Sequence, residues 1–212
     1  MSCRLNSVPR HNHGMEATLP SRVKTHAMTA GTNVFQPIRH PITGETFTCL
    51  SSDSQAYIME WSLEPNGYVP LEHLHLNQSE KFQILEGEIV LRVDGRETIL
   101  RNGDMQIVPK NTRHLAFNRG TTVVRCLVEY RPGLDYLQVM QCYLGLIQDK
   151  DYDAKGEINV PKMGYLLNHM NARAMMRPSS IPAPAFAMGR VVFLLIGTLK
   201  GWRKDFARYT GA

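Results

Sequence analysis

Alternation of apolar and polar positions dominates the middle of the chain. The segment QAYIMEWSLEPNG carries apolar residues at every second position: Tyr57, Met59, Trp61 and Leu63. This period is typical of a strand with one buried face. Similar runs follow in SEKFQILEG, EIVLRV, RETIL and TTVVRCLVEYRP, and Asp94-Gly95 between two of them predicts a tight hairpin. Six or more short strands without an intervening helix predict an all-β barrel or sandwich over residues 34–132.

Beyond residue 132 the apolar period becomes helical. LDYLQVMQCYLGLIQDK predicts a helix across the barrel, and a second short helix is expected near Leu166–Leu167. Pro178, Pro182 and Pro184 indicate a linker, after which an unbroken three-four spacing from Met188 to Tyr209 predicts one long helix. The predicted organisation has four parts: a flexible arm (1–33), the barrel (34–132), a helical extension packing on it (133–177), and a linker with the C-terminal amphipathic helix (178–212).

The last helix has two interpretations. Its apolar portion, Val191–Leu199, is shorter than the roughly 20 residues that cross a bilayer. We expect it to pack on the barrel or on a partner subunit, and we expect a homodimer. Alternatively, residues 185–209 make peripheral contact with an anionic membrane surface, since basic residues accompany the apolar ones.

Net charge is +5, but its distribution is uneven. Residues 1–46, 47–172 and 173–212 carry +3, −4 and +6, so the basic excess lies outside the predicted barrel. A basic stripe on a folded face is typical of nucleic-acid binding, and this distribution argues against such a partner. The cysteines are scattered without a CxxC pair, and no secretory signal is evident. We therefore expect free thiols and a cytoplasmic location.

Histidines and one acid in the predicted barrel indicate a metal site. His73 and His75 are two residues apart, so on a strand both imidazoles face one way. Glu80 reaches the same point if it lies on the neighbouring strand after a short turn, and His114 follows in another strand-like run. Imidazole and carboxylate ligands suit iron(II), manganese, nickel, cobalt or zinc. The sequence therefore predicts that one divalent ion is bound by His73, His75, Glu80 and His114.

The spacing of these residues resembles that of the cupin family. Residues 67–87 match its first motif, which includes both histidines and the glutamate. The second motif is met by Gly103, Pro109, His114 and Asn118, whereas Asn111 stands where the family usually has glycine. Asparagine tolerates the left-handed backbone of such a turn. The resemblance implies a single-domain cupin, that is, a double-stranded β-helix or jelly-roll barrel, here with an α-helical C-terminal extension.

The predicted ion faces a pocket for a small organic molecule. By the two-residue period its walls are Tyr57, Met59, Trp61, Phe82, Ile84 and Ala116. The first hypothesis is a dioxygenase-like oxidoreductase, with iron(II) the favoured ion. A metal-dependent isomerase, cyclase or decarboxylase is the second, and a non-catalytic ligand-binding protein is the third. Whether the protein is an enzyme stays open at this point, and the sequence identifies no catalytic residue apart from the ligands.

Overall fold

A computed structural model describes residues 36–211; the predicted arm at 1–33 lies outside this range. Within it, the strands and helices follow one another as β1 (Ile38–Arg39), β2 (Glu45–Ser52), β3 (Tyr57–Leu63), β4 (His73–His75), β5 (Ser79–Glu86), β6 (Glu88–Val93), β7 (Arg96–Arg101), β8 (Met105–Val108), β9 (His114–Phe117), β10 (Val124–Arg131), α1 (Tyr136–Gln148), α2 (Val160–His169), β11 (Met176–Pro178), α3 (Ala183–Lys200) and α4 (Arg203–Thr210).

The strands form two antiparallel sheets. One has the order β1-β2-β3-β10-β5-β8, and the other has the order β11-β4-β9-β6-β7. Alternate residues of β3 are buried in a core shared by the sheets, as the period-two pattern predicts. The predicted double-stranded β-helix with C-terminal helices is therefore confirmed.

Two turns follow directly from their residues. Asp94 and Gly95 both adopt positive φ, 48° and 81°, as a two-residue hairpin between β6 and β7 requires. Asn111 has a φ of 60°, so it takes the left-handed conformation expected at this turn. Its backbone N–H donates to the carbonyl of His75, which ties the turn to the histidine strand.

The helical extension is held together by glycine–aromatic contacts. A Cβ on Gly164 of α2 would overlap the ring of Phe193 on α3, and a Cβ on Gly197 of α3 would overlap the ring of Tyr165 on α2. The absence of side chains at the two glycines therefore lets α2 and α3 approach closely.

The C-terminal region differs from the sequence prediction in three ways. The single helix predicted from Met188 to Tyr209 is wrong, because Gly201 adopts a φ of 68° and ends α3 before α4 begins. Pro184 does not belong to a linker but lies in the first turn of α3, where its missing N–H costs nothing. Pro178 ends β11, which adds a strand to the barrel sheet beside β4.

Helix α3 begins before the predicted start at Met188, and most of its residues are exposed. The 18 residues of α3 have a mean hydropathy of 1.4, and by length and composition the helix is long and apolar enough to cross a membrane. The apolar portion considered in the sequence, Val191–Leu199, is only part of this helix. Gly197 is the only buried residue of α3. Most of α3 is therefore not covered by the rest of residues 36–211, and the expectation that it packs on the barrel or on a partner subunit stays a prediction.

Candidate metal centre

Three strands bring the predicted ligands together. His73 and His75 lie on β4, and His73 is paired in register with His114 on the adjacent strand β9. Glu80 lies on β5, which belongs to the other sheet, so it reaches the histidines across the barrel interior and not from a neighbouring strand as expected. One nitrogen or oxygen atom from each side chain lies within 4.8 Å of the others.

Backbone contacts fix the orientation of two of the imidazoles. Nδ1 of His73 lies 2.9 Å from the carbonyl of Leu71, and Nδ1 of His114 lies 2.9 Å from the carbonyl of Thr112. A carbonyl can only accept, so in both hydrogen bonds Nδ1–H donates. For a neutral ring the proton is then on Nδ1, and Nε2 is free to bind a metal.

Glu80 is the one negative charge of this cluster. Burial alone would raise its pKa, but the charge and the hydrogen bond of His114, together with the nearby His75 imidazole, lower the pKa well below its usual value. Nε2 of His114 lies 2.7 Å from Oε2 of Glu80. Burial lowers the pKa of His114, yet the charge of Glu80 and its hydrogen bond outweigh this and raise the pKa. Glu80 is therefore an ionised carboxylate.

The residues present fit a bound divalent ion. Nδ1 of His75 is buried without a hydrogen-bond partner, and its Nε2 lies 3.2 Å from Oε2 of Glu80 without making a hydrogen bond, which is costly unless something else satisfies both nitrogens. Burial, followed by the nearby charges of His114 and His75, lowers the pKa of His73 to about 3, which keeps that imidazole neutral. First-row divalent metals bind neutral imidazoles and carboxylates, so His73 and Glu80 are already in the required form, and a bound ion would replace the proton through which His114 Nε2 contacts Glu80.

Tyr130 contacts the cluster and was missed by the sequence analysis. Its hydroxyl donates to Oε1 of Glu80 over 2.7 Å, and its ring stacks on Tyr136 with centroids 4.0 Å apart. The hydrogen bond orients the carboxylate so that Oε2 faces the histidines. Alternation along β10 predicts only that Tyr130 faces inward, because its pairing with Glu80 depends on the strand order.

A cavity of about 180 Å³ adjoins the cluster. One water needs roughly 10–15 Å³ of such space, so the cavity has room for a small organic molecule. Of the predicted pocket residues, Met59, Trp61, Phe82 and Ala116 line it, together with His73, Glu80 and His114.

Two predicted pocket residues, Tyr57 and Ile84, do not line the cavity. The ring of Tyr57 packs at 5.0 Å from that of Tyr136, which itself lines the cavity. Ile84 follows the cavity residue Phe82 at the next inward position of β5 and is fully enclosed in the core. Both face inward as the period predicts, but an inward direction alone does not say where along the barrel the cavity ends.

The helical extension closes the cavity opposite the barrel. Residues of α2 and α3 form this wall: Val160, Met163, Gly164, Leu167, Asn168, Phe186, Arg190 and Phe193. Most are apolar. Arg190 donates to the side-chain oxygen of Asn168, so this polar pair is satisfied within the wall. The walls around the cluster are thus mainly apolar, which limits water and favours an apolar ligand.

Glu45 is a further acid in this cavity wall. It is only 3% exposed, and its Oε2 accepts a hydrogen bond from Oγ1 of Thr43 over 2.8 Å. Burial raises its pKa to about 7, although hydrogen bonds from Thr43 and Trp61 act in the opposite direction. The sequence pattern predicted a strand here, but it did not predict that a carboxylic acid would face the cavity.

Comparison with known proteins identifies the central part of the chain. A family model described as "Cupin domain" matches residues 59–130. Among the curated proteins, none matches the chain.

Several solved structures also resemble part of the chain. A sugar phosphate isomerase of the cupin superfamily from Silicibacter pomeroyi is 27% identical, with a TM-score of 0.40, over 42% of this chain and 60% of that one. The chain thus covers less than two thirds of that protein. An uncharacterised double-stranded β-helix protein from Klebsiella pneumoniae is 19% identical, with a TM-score of 0.43, over 49% and 92%. A predicted oxalate decarboxylase from Thermotoga maritima is 22% identical, with a TM-score of 0.42, over 47% and 94%.

Proposed function

Residues 59–130 form a cupin domain, and from this premise we propose that the protein is a metal-dependent oxidoreductase, dioxygenase-like, acting on a small and mainly apolar molecule. The convergence of His73, His75, Glu80 and His114 beside an apolar cavity carries the proposal. Iron(II) held by these four side chains would supply the reactivity toward dioxygen that such a reaction needs. We therefore favour iron(II) over manganese, nickel, cobalt or zinc.

The chain's own residues have separate roles in this proposal. Each histidine would bind the ion through one ring nitrogen, and Glu80 would bind it through a carboxylate oxygen that carries negative charge. Tyr130 holds the carboxylate in place through its hydroxyl. Met59, Trp61 and Phe82 hold the apolar body of the substrate and exclude water, which strengthens electrostatic interactions at the cluster.

The metal site is tested by replacing the histidine pair. We expect His73→Ala/His75→Ala to lose iron, because two of four ligands are removed. Iron content after anaerobic loading measures this, with His169→Ala as the matched control, since His169 is exposed and lies on α2 away from the cluster. Stoichiometric iron in the double variant would refute the site.

The reaction class is tested with the iron-loaded protein. Oxygen uptake is measured over a panel of small apolar alcohols, ketones and phenols, and we expect uptake that the double histidine variant loses. Retained iron without any oxygen uptake, together with turnover under nitrogen, would reject the oxidoreductase and favour the second candidate.

That second candidate is a metal-dependent isomerase, cyclase or decarboxylase, and Glu45 favours it. A carboxyl group with a pKa of about 7 is suited to give and take a proton near neutral pH. It lines the same cavity as Glu80 and His114. Such a reaction needs no oxygen, so it would proceed under nitrogen and would be lost in Glu45→Gln while iron binding is retained.

A further inference from the structure

Helix α3 presents a continuous apolar stripe to solvent. Its residues recur every three or four positions, so they lie on one side of the helix. The large ones with their exposed fractions are Met188 (71%), Val191 (60%), Val192 (50%), Leu195 (63%) and Leu199 (89%). Leu194 of the same helix is also exposed (38%), whereas in the rest of the described residues the exposed large apolar side chains are divided among several strands and turns. A stripe of this kind on one helix is a surface that a partner covers.

The opposite side of the helix is already occupied. Phe193 packs against Gly164, and Gly197 packs against Tyr165, so α3 is fixed side-on to α2. Phe186 on this inner side lines the cavity. A helix held along one side offers only its outer face to lipid, which is the arrangement of a helix lying in the membrane interface and not across it.

Cations gather at the C-terminal end of the stripe. Lys200, Arg203 and Lys204 are exposed, and no carboxylate lies within ion-pair distance of them among residues 36–211. The one acid of residues 173–212, Asp205, is buried and paired with Lys162 at 3.0 Å. The apolar stripe is therefore accompanied by positive charge alone, which complements the phosphates of an anionic leaflet.

A second copy of the chain complements this surface poorly. Helices paired in parallel would bring Lys200, Arg203 and Lys204 of both copies together. Helices paired in antiparallel fashion would place these cations beside the partner's α3 N-terminus, which carries partial positive charge and no acidic residue in its first turn. The first 46 residues, with a net charge of +3, do not offer the missing negative charge either.

We propose that the outer face of α3 docks the protein on an anionic phospholipid surface, with Lys200, Arg203 and Lys204 at the headgroups and the apolar stripe in the acyl boundary. The inner face of α3 would then place one wall of the cavity at the lipid surface. A role of that wall in substrate binding rests on the proposed function. Docking on lipid is independent of the proposed function.

Co-sedimentation of the full chain with vesicles tests the proposal. We expect binding to vesicles of phosphatidylcholine and phosphatidylglycerol in equal parts, weak binding to phosphatidylcholine alone, and loss at high salt. Lys200→Ser/Arg203→Ser/Lys204→Ser should weaken binding on the order of a hundredfold, since each cation at an anionic leaflet contributes about fivefold. Leu195→Ser/Leu199→Ser should also weaken it. Equal binding to both vesicle types would overturn the proposal.

Matched controls separate docking from folding and from metal binding. Ile107→Ser removes an apolar side chain on the barrel that is 59% exposed, and Lys110→Ser removes an exposed cation near it; both should leave vesicle binding unchanged. Helix content by circular dichroism and iron content report folding and the metal centre independently. A concentration-dependent dimer in solution that Leu195→Ser/Leu199→Ser abolishes would overturn the proposal in favour of a second copy.

Discussion

Glu45 shows how the surroundings of a single residue set its chemistry. In water a glutamate with a pKa of 4.5 is ionised at neutral pH, but burial raises the pKa of Glu45 to about 7 even though hydrogen bonds from Thr43 and Trp61 lower it. Glu80 is equally enclosed, yet the charge and hydrogen bonds of His114 lower its pKa. One barrel therefore contains two buried carboxyl groups whose pKa values are shifted in opposite directions.

The raised pKa of Glu45 predicts a specific pH dependence of stability. Between 4.5 and about 7 the folded state keeps a proton that the unfolded state has released, so stability falls as pH rises through this window. The change is about 3 kcal/mol, since one pKa unit corresponds to about 1.36 kcal/mol. Glu45→Gln should remove this fall, as measured by urea unfolding at pH 4.5 and pH 8. An identical pH dependence in both proteins would contradict the burial argument.

At the scale of elements, the contact between α2 and α3 depends on glycine. Gly164 lies against the ring of Phe193, where a methyl group does not fit, whereas a methyl group on Gly189 would lie 3.7 Å from the same ring. Both glycines are within helices. The same substitution at the two positions therefore separates a steric effect from helix propensity.

We expect opposite results from Gly164→Ala and Gly189→Ala. The first should lower the free energy of unfolding by about 1–2 kcal/mol, because overlap with Phe193 outweighs the gain in helix propensity. The second should raise it by about 0.5–1 kcal/mol, because propensity improves without overlap. Denaturant unfolding measures both. Two changes of the same sign would mean that α2 and α3 do not approach as closely as described.

At the scale of the whole molecule, the metal cluster joins the two sheets. Glu80 comes from one sheet and His73, His75 and His114 come from the other. An ion bound by all four would link the sheets in the folded state, and the unfolded chain would not hold these ligands together.

Metal removal should therefore lower the thermal stability. At a free iron(II) concentration of about 100 times Kd, binding stabilises the folded state by about 2.7 kcal/mol. Anaerobic calorimetry with iron and with chelator measures the shift in Tm. The His73→Ala/His75→Ala variant should show the same Tm in both conditions, and a shift in that variant equal to the native one would place the ion elsewhere.

The sequence by itself determined the local features. The two-residue period points both histidines of β4 in one direction, and Asp94-Gly95 and Asn111 specify their turns. The motif spacing predicted the resemblance that the cupin-domain model finds at residues 59–130. Such features depend only on neighbouring residues, since side-chain direction and backbone preference repeat along an element. Gly201, by contrast, ends α3 within an apolar pattern that continues on both sides, so the spacing of apolar residues did not predict this helix end.

Only the tertiary structure decided which elements meet. It brings Glu80 to the histidines from the opposite sheet, adds Tyr130 and Glu45 to the cavity, and closes that cavity with α2 and α3. These contacts depend on strand order and helix packing, and residues far apart in the chain leave no local periodic signal of their meeting. The composition of α3, apolar with basic residues, follows from the sequence. Which of its faces remains exposed depends on its packing against α2, so only the structure shows it.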